Sequence, residues 1–204
     1  MALLGAQLAG AEGVNRVSKR DAIVQAAKDL IWEEGYVAMS PRDVMERSGA
    51  GQGSLYHHFK GKRDLAGQAL SEVNAELCAI ADRVFSHQDR PPLERVRRFL
   101  DVLSREPLKG CRVGRLAVES AIEDDTIRAP VAAWFDYAEG KLKEALLEAQ
   151  VGGQLRKGLD TADLALTLTA MLQGGYLLAR AHHDPELMHR ALAGGMALLE
   201  SSNY

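Results

Sequence analysis

Three stretches of this sequence carry side chains able to do chemistry. The first is Gln52-Gly53-Ser54-Leu55-Tyr56-His57-His58-Phe59-Lys60. Leu55 and Phe59 are four apart, so a helix puts them on one face and the polar groups on another. Gln pairs with an adenine edge through two hydrogen bonds, Ser serves a base or a phosphate, and a Tyr hydroxyl reaches a phosphate. The second stretch is Lys109-Gly110-Cys111-Arg112, a thiol between two cations. A cysteine so placed at a helix N-terminus is a reactive nucleophile. The competing reading is a small, inert core cysteine. The third is His182-His183-Asp184 with Glu186 and His189. His182 and Glu186 are four apart, a spacing that can hold a divalent metal. Pro185 interrupts the segment and no His-Glu-x-x-His pattern occurs, so a solvated loop is expected and no metal is assigned.

Other catalytic constellations are missing from the sequence. Glu123-Asp124-Asp125 reads as an exposed helix cap, and there is neither a nucleophile–base pairing nor a glycine-rich phosphate loop. An enzyme is therefore not expected, and no cofactor is implied. A metal-dependent enzyme using His182, Glu186 and His189 is the weakest alternative.

Composition narrows the class further. The chain has 204 residues and a formal net charge of −3, which excludes a generally basic nucleic-acid coat. Residues 1–65 carry nine Lys/Arg against eight Asp/Glu, and the remainder sixteen against twenty. A weakly basic head on an acidic body suits contact with DNA at one end only. Two cysteines, Cys78 and Cys111, make no disulfide framework, so a reducing cytoplasm is expected. Cys78, between Leu77 and Ile80, reads as core. No apolar run suggests a membrane span.

The elements that must position these groups are helical throughout. Residues 1–17 read as a flexible arm containing Arg16. Ser18 with Asp21 resembles a capping box, and Gly35 closes the first helix. Ser40-Pro41-Arg42-Asp43 is a second start, with Ser40 as cap and Pro41 at the first helical position. That helix stops at Ser48-Gly49, and a third occupies Gln52–His58. Leu55 and Phe59 should hold it against Ile31 and Val44. A long helix follows over 61–88, then helices near 92–105, 110–123, 127–151, 160–182 and 185–201, punctuated by Pro107, Pro130, Pro185 and several glycines. A tight turn is expected around Gly152–Gly158. The expected fold is all-α with about nine helices. The expected divisions are the arm 1–17, a helix-turn-helix head 18–66, and a body 67–204 for ligand binding and dimerisation.

Two short helices joined by Ser48-Gly49-Ala50-Gly51 form a helix-turn-helix, whose second helix enters the major groove. Gln52, Ser54 and His57 would meet base edges, and Gly53 would let backbone approach closely. Tyr56 would reach a phosphate. The helix N-terminus at Ser40 offers free N–H groups to another phosphate, with Arg42 beside it. Lys60 and Lys62 would add charge to the DNA backbone, and Lys19, Arg20 and Arg16 would follow it or enter a minor groove.

The stretch from Glu34 to Val44, and then Ser48-Gly49-Ala50-Gly51-Gln52-Gly53-Ser54-Leu55-Tyr56-His57-His58-Phe59-Lys60-Gly61-Lys62-Arg63-Asp64-Leu65, resembles the DNA-binding domain of the TetR family of bacterial repressors. The likeness covers roughly residues 19–66. Gly51 departs from it, because the family usually has Ser or Thr there. The resemblance implies a homodimer that binds palindromic operator DNA and releases it when a small-molecule inducer enters the body. It carries over contacts to Ser40, Arg42, Gln52, Ser54, Tyr56, His57 and Lys62. It also implies a cytoplasmic protein, on the nucleoid when operator-bound. A helical interaction module without DNA binding is the alternative.

The body offers two further expectations. The helix at 160–182 is apolar almost all round, so it should be buried on more than one side. The family's dimer is a four-helix bundle of the last two helices. That implies an interface through Leu164, Leu168, Gly175 and Leu178, with Leu192, Gly195 and Leu199. Pocket candidates are Phe99, Trp134, Phe135, Tyr137, Met171, Gln173 and Tyr176, together with Cys111. The run Lys109–Glu119 resembles a sub-group of the family with Gly-Cys at the start of the sixth helix, the LmrA/YxaF-like and NemR-like regulators.

Overall fold

Capping residues set the head. In the computed structural model, which describes residues 18–201, α1 spans Lys19–Glu33. The Ser18 hydroxyl accepts the Asp21 N–H at 3.1 Å, but the Asp21 carboxylate turns to Arg20 rather than completing the expected box. The expected arm, with Arg16, lies outside the described residues. Helix α2 (Pro41–Ser48) has both halves of its capping box. The Ser40 N–H and hydroxyl donate to Asp43 Oδ2 at 2.9 and 2.6 Å. Gly49 ends α2 at φ +66, a left-handed conformation that glycine adopts without steric cost. Helix α3 (Gln52–His58) starts from Gly51 with no side-chain cap.

The head core is built as the periodicity requires. Ile23, Val24, Leu30 and Ile31 of α1 are buried with Val44, Leu55 and Phe59 in one cluster. Truncating one such leucine to Ala typically costs about 2–5 kcal/mol, so this core is what fixes the angle of α3.

Helix α4 (Lys62–Phe85) leaves the head and becomes part of the body. Its buried stripe, Leu65, Ala69, Leu70, Val73, Leu77, Ala81 and Val84, recurs at helical spacing. One end packs on α1, and the rest on α5 (Pro92–Leu103) and α6 (Asp125–Val151). Helix α6 then packs on α7 (Thr161–His182), and α7 on α8 (Glu186–Ser201). Gly153 and Gly158, at φ +74 and +92, shape the α6–α7 turn.

One expectation is corrected. The helix expected over 110–123 is instead two short 3-10 helices, Gly114–Val118 and Ser120–Glu123, so the described residues hold eight α-helices rather than about nine. Gly110 at φ +85 cannot continue an α-helix. β-Branched Val113 and Val118 are weak helix formers. Tertiary contacts also claim Arg115 and Glu119. Pro130 lies in the first turns of α6, within the helix expected over 127–151. Its carbonyl accepts from Asn74 Nδ2 at 2.7 Å, which ties α6 to α4.

Candidate nucleic-acid interface and junction cavity

Helix α3 presents Gln52, Gly53, Tyr56, His57 and His58 to solvent, with Ser54 half-buried. Leu55 and Phe59 are 3 % and 2 % exposed, so the two faces are cleanly divided. A Cβ added at Gly53 would meet nothing within 4 Å. Nothing inside the chain demands glycine there, although glycine costs a helix interior about 1 kcal/mol relative to alanine. The His57 and His58 rings meet edge-on at 4.9 Å.

The cations around α3 fall into two groups. Lys19, Arg42 and Lys60 are exposed, and their side chains make no hydrogen bond or ion pair among the described residues. Lys62 is committed inward: it donates to the Val37 carbonyl at 3.1 Å and sits 4.5 Å from the Tyr36 ring centroid. Arg20 is committed too, donating to Gln68 at 2.9 Å and Glu72 at 3.4 Å. Ser40 spends its hydroxyl on Asp43, and those hydrogen bonds hold the Asp43 carboxyl below its usual range.

A cavity of about 720 Å³ opens where head meets body. Glu34, Val37 and Ala38 wall it from the head, and Gly110, Cys111, Gly114, Arg115, Val118 and Glu119 from the 3-10 segment. Helix α7 adds Gln173, Gly174, Tyr176, Leu177 and Arg180. The Tyr176 hydroxyl donates to the Leu103 carbonyl, and burial pushes its pKa well above the ordinary phenol value. Cys111 Sγ accepts the Gly114 N–H at 3.3 Å. With no α-helix starting here, the N-terminal field expected at Cys111 is missing. Its neighbouring cations point elsewhere, Lys109 to Glu106 and Arg112 to Glu76.

Of the expected pocket residues, Cys111, Gln173 and Tyr176 reach this cavity. Phe99 and Trp134 are buried aromatic core, their ring centroids 6.4 Å apart, and Phe135 packs against that core. Tyr137 donates to Asp82 at 2.6 Å on the far side of α4. Met171 fills the space over Gly195. Sequence reasoning missed Arg115 and Glu119, whose partners in the head are remote in the chain, and Arg180, which lines the cavity from α7. One signal was legible: α1 ends in Glu33-Glu34 with no basic residue in its last turn.

The expected interface residues divide as well. Leu168, Leu192 and Leu199 are buried within the single chain, and Gly175 faces Met188. Leu164 is half-buried and Leu178 exposed. The outward apolar side chains of the last two helices are Leu166, Leu177 and Leu178 on α7 and Leu198 on α8. At the α7–α8 corner, His183 adopts φ 52, and His189 lies 3.7 Å from Glu186. No group of three or more potential metal ligands assembles among the described residues.

A family model described as "Bacterial regulatory proteins, tetR family" matches residues 23–69. A second, "Tetracyclin repressor-like, C-terminal domain", matches residues 92–194. The HTH-type transcriptional regulator LmrA of Bacillus subtilis is 30 % identical over 182 residues, covering 83 % of this chain and 91 % of that protein. Among solved structures, a TetR-family regulator from Agrobacterium tumefaciens superposes with a TM-score of 0.82 at 25 % identity, covering 89 % and 97 % of the two chains. Reduced NemR of E. coli shares the fold at a TM-score of 0.77 and 18 % identity, covering 87 % and 95 %.

Proposed function

This chain belongs to the TetR family and is a helix-turn-helix transcriptional regulator, and from that premise we propose that it is a homodimeric repressor released from a palindromic operator by a small molecule. The observation that carries the reading is the outer face of α3. Gln52, Ser54 and Tyr56 offer side chains bonded to nothing else among the described residues, beside a glycine that no internal contact requires. We assign base reading to Gln52, Ser54 and His57, close backbone approach to Gly53, and phosphate contact to Tyr56. Arg42, Lys60 and Lys19 supply free charge to the DNA backbone, and the α2 N-terminus behind Ser40 supplies N–H groups. Lys62 acts chiefly by holding the α1–α2 loop.

The dimer face of this proposal is the outward row Leu166, Leu177, Leu178 and Leu198, flanked by small residues such as Ala170, Gly174 and Gly194 that allow close helix approach. Such a patch on two neighbouring helices marks an association surface. The inducer site is the junction cavity, whose volume lies in the usual range for small-molecule sites. The head is taken as residues 18–66 and the body as 67–204. The family is one of regulators, and no catalytic role is proposed. Among the described residues no helix is long and apolar enough to cross a membrane, and a regulator of DNA works in the cytoplasm, on the nucleoid when bound.

The test is a gel shift with the DNA flanking its own gene, repeated at several salt concentrations. The expected result is a saturable shift that weakens steeply with salt. No saturable, salt-sensitive shift would instead favour a helical interaction module.

A further inference from the structure

Charged side chains on the walls of the junction cavity are Glu34, Arg115, Glu119 and Arg180, and all but one are already matched. Arg115 spends its guanidinium on the carbonyls of Trp32, Glu33 and Glu34, at 2.9, 2.7 and 3.0 Å. Glu119 accepts the Val37 N–H at 2.9 Å and lies 4.0 Å from Arg115 Nε. Glu34, exposed at the rim, lies with Glu33 in the field of Arg47. Arg180 is the exception. It is exposed, and its side chain makes no hydrogen bond or ion pair among the described residues.

The helix dipole gives a reason for a cation in the last turn of α7, where His182 also stands. It gives none for the direction this side chain takes. A Cβ on Gly110 would lie 3.7 Å from both Cδ and Nη1 of Arg180, so the guanidinium lies along the cavity wall. It donates to none of the carbonyls at its own helix end.

Other free polar groups are few. The Tyr176 hydroxyl is held by the Leu103 carbonyl, and Cys111 Sγ accepts the Gly114 N–H. Gln173 keeps its amide unbonded among the described residues, seven positions before Arg180 on the same face of α7. At 1.5 Å of rise per residue the two stand roughly 10 Å apart along the helix. Between them the wall is the Tyr176 ring and Leu177, and the other walls add Val37, Ala38 and Val118. Val118 and Val37 are 89 % and 57 % exposed, so this apolar surface is left bare by the rest of the described chain.

These observations select a ligand class. Covering bare apolar surface favours an apolar body. The same body takes water from Arg180, and a guanidinium left dry and unpaired is costly. A neutral apolar molecule carries that penalty in full. A carboxylate, sulfonate or phosphate ester cancels it with charge-assisted hydrogen bonds that fit the guanidinium fork. A cationic head would set like charge beside Arg180, and the two wall carboxylates already have cations of their own.

We propose that the junction cavity takes an apolar organic anion, its acidic head held by Arg180 and a hydrogen-bonding group roughly 10 Å away held by Gln173. The inference rests on this cavity being the inducer site, and it names the class of inducer that fits. The volume of about 720 Å³ leaves room for a drug-sized molecule.

A pair of fluorescent probes tests this without knowing the natural ligand. 8-Anilinonaphthalene-1-sulfonate is an apolar anion, and N-phenyl-1-naphthylamine is the same ring system without the sulfonate. Both brighten in apolar surroundings, so Kd is read by titration of the full chain. Arg180→Gln should weaken the anionic probe tenfold or more and the neutral one less than twofold. Arg83→Gln removes the same charge from an exposed position on α4 outside the cavity, and should change either probe less than twofold. An anionic probe indifferent to Arg180→Gln, equal losses for the two probes, or an equal loss in Arg83→Gln overturns the proposal. Failure of both probes to bind removes the cavity as a ligand site and takes the proposal with it. Affinity for the DNA flanking the gene, measured by anisotropy with each probe present, separates this inference from the reading beneath it. Release of DNA by the neutral probe alone keeps the inducer site and refutes the anion. An anionic probe held by Arg180 that leaves DNA affinity unchanged supports the ligand class and refutes the inducer role.

Discussion

Gly35→Ala isolates the contact between head and body. Gly35 has φ +97, and a Cβ there would overlap the Glu119 carboxylate. A left-handed residue with a side chain costs about 1–2 kcal/mol from backbone alone. Displacing Glu119 also forfeits its hydrogen bond from the Val37 N–H, and hydrogen bonds to charged groups contribute about 1.5–3 kcal/mol. The sum is about 2.5–5 kcal/mol. Gly49 is the internal control, since it has φ +66 and a Cβ there would meet nothing within 4 Å. Gly49→Ala should therefore cost only the backbone part, about 1–2 kcal/mol. For a chain of this length about 1 kcal/mol moves Tm by roughly 2–4 °C, so the Tm of Gly35→Ala should fall by roughly 5–20 °C. Urea unfolding at fixed protein concentration measures both, because a dimer's stability depends on concentration. In a Glu119→Ala background the cost of Gly35→Ala should drop to that of Gly49→Ala. Equal costs for the two glycines in the intact protein, or no coupling to Glu119, would refute the reasoning.

Three further outcomes follow from the same geometry. Glu76 meets Lys28 and Arg112 of two other segments; burial alone would raise its pKa, but their hydrogen bonds and charges outweigh it and hold the carboxyl below its usual value. A carboxyl depressed in the folded state stabilises above its unfolded value, near 4.5, and loses that contribution as pH falls through the folded one. Glu76→Gln should thus cost about 1 kcal/mol or less at pH 7, Glu76 being nearly half exposed, and nothing in strong acid, as urea curves across pH will show. Leu177→Glu with Leu198→Glu should give a monomer by sedimentation, whereas Val151→Glu, equally exposed but on α6, should leave the dimer intact. Arg42→Ala should weaken binding to all DNA sequences and reduce the salt slope by about 1, whereas Gln52→Ala should change sequence preference in a binding-site selection.

What the sequence made legible was local. Ser40 and Asp43 name a capping box by identity and spacing, and Leu55 with Phe59 names the inner face of α3. These depend on neighbours in the chain, and the structure places them as the pattern requires. The segment 110–119 was not legible, because its conformation is set by α1 and α7 rather than by its own propensity. Arg115 reads as a surface cation until the Trp32–Glu34 carbonyls, some eighty residues away, are brought beside it. The same limit applied to the pocket. Phe99, Trp134 and Phe135 have the composition of a binding site, yet their spacing serves packing, while glycines and two arginines line the larger space. On α7 the apolar pattern covers almost the whole circumference. Which leucines face inward was therefore decided only by the angle at which the two helices meet.

In the proposed dimer, paired α3 helices read DNA. Hydroxyl-radical footprinting on the DNA flanking the gene tests it most directly. The expected result is two symmetric protected patches related by a two-fold axis, both lost together when Leu177 and Leu198 become glutamate, with affinity collapsing when the half-site spacing is changed by half a helical turn. A single patch, or protection indifferent to that spacing, would contradict it.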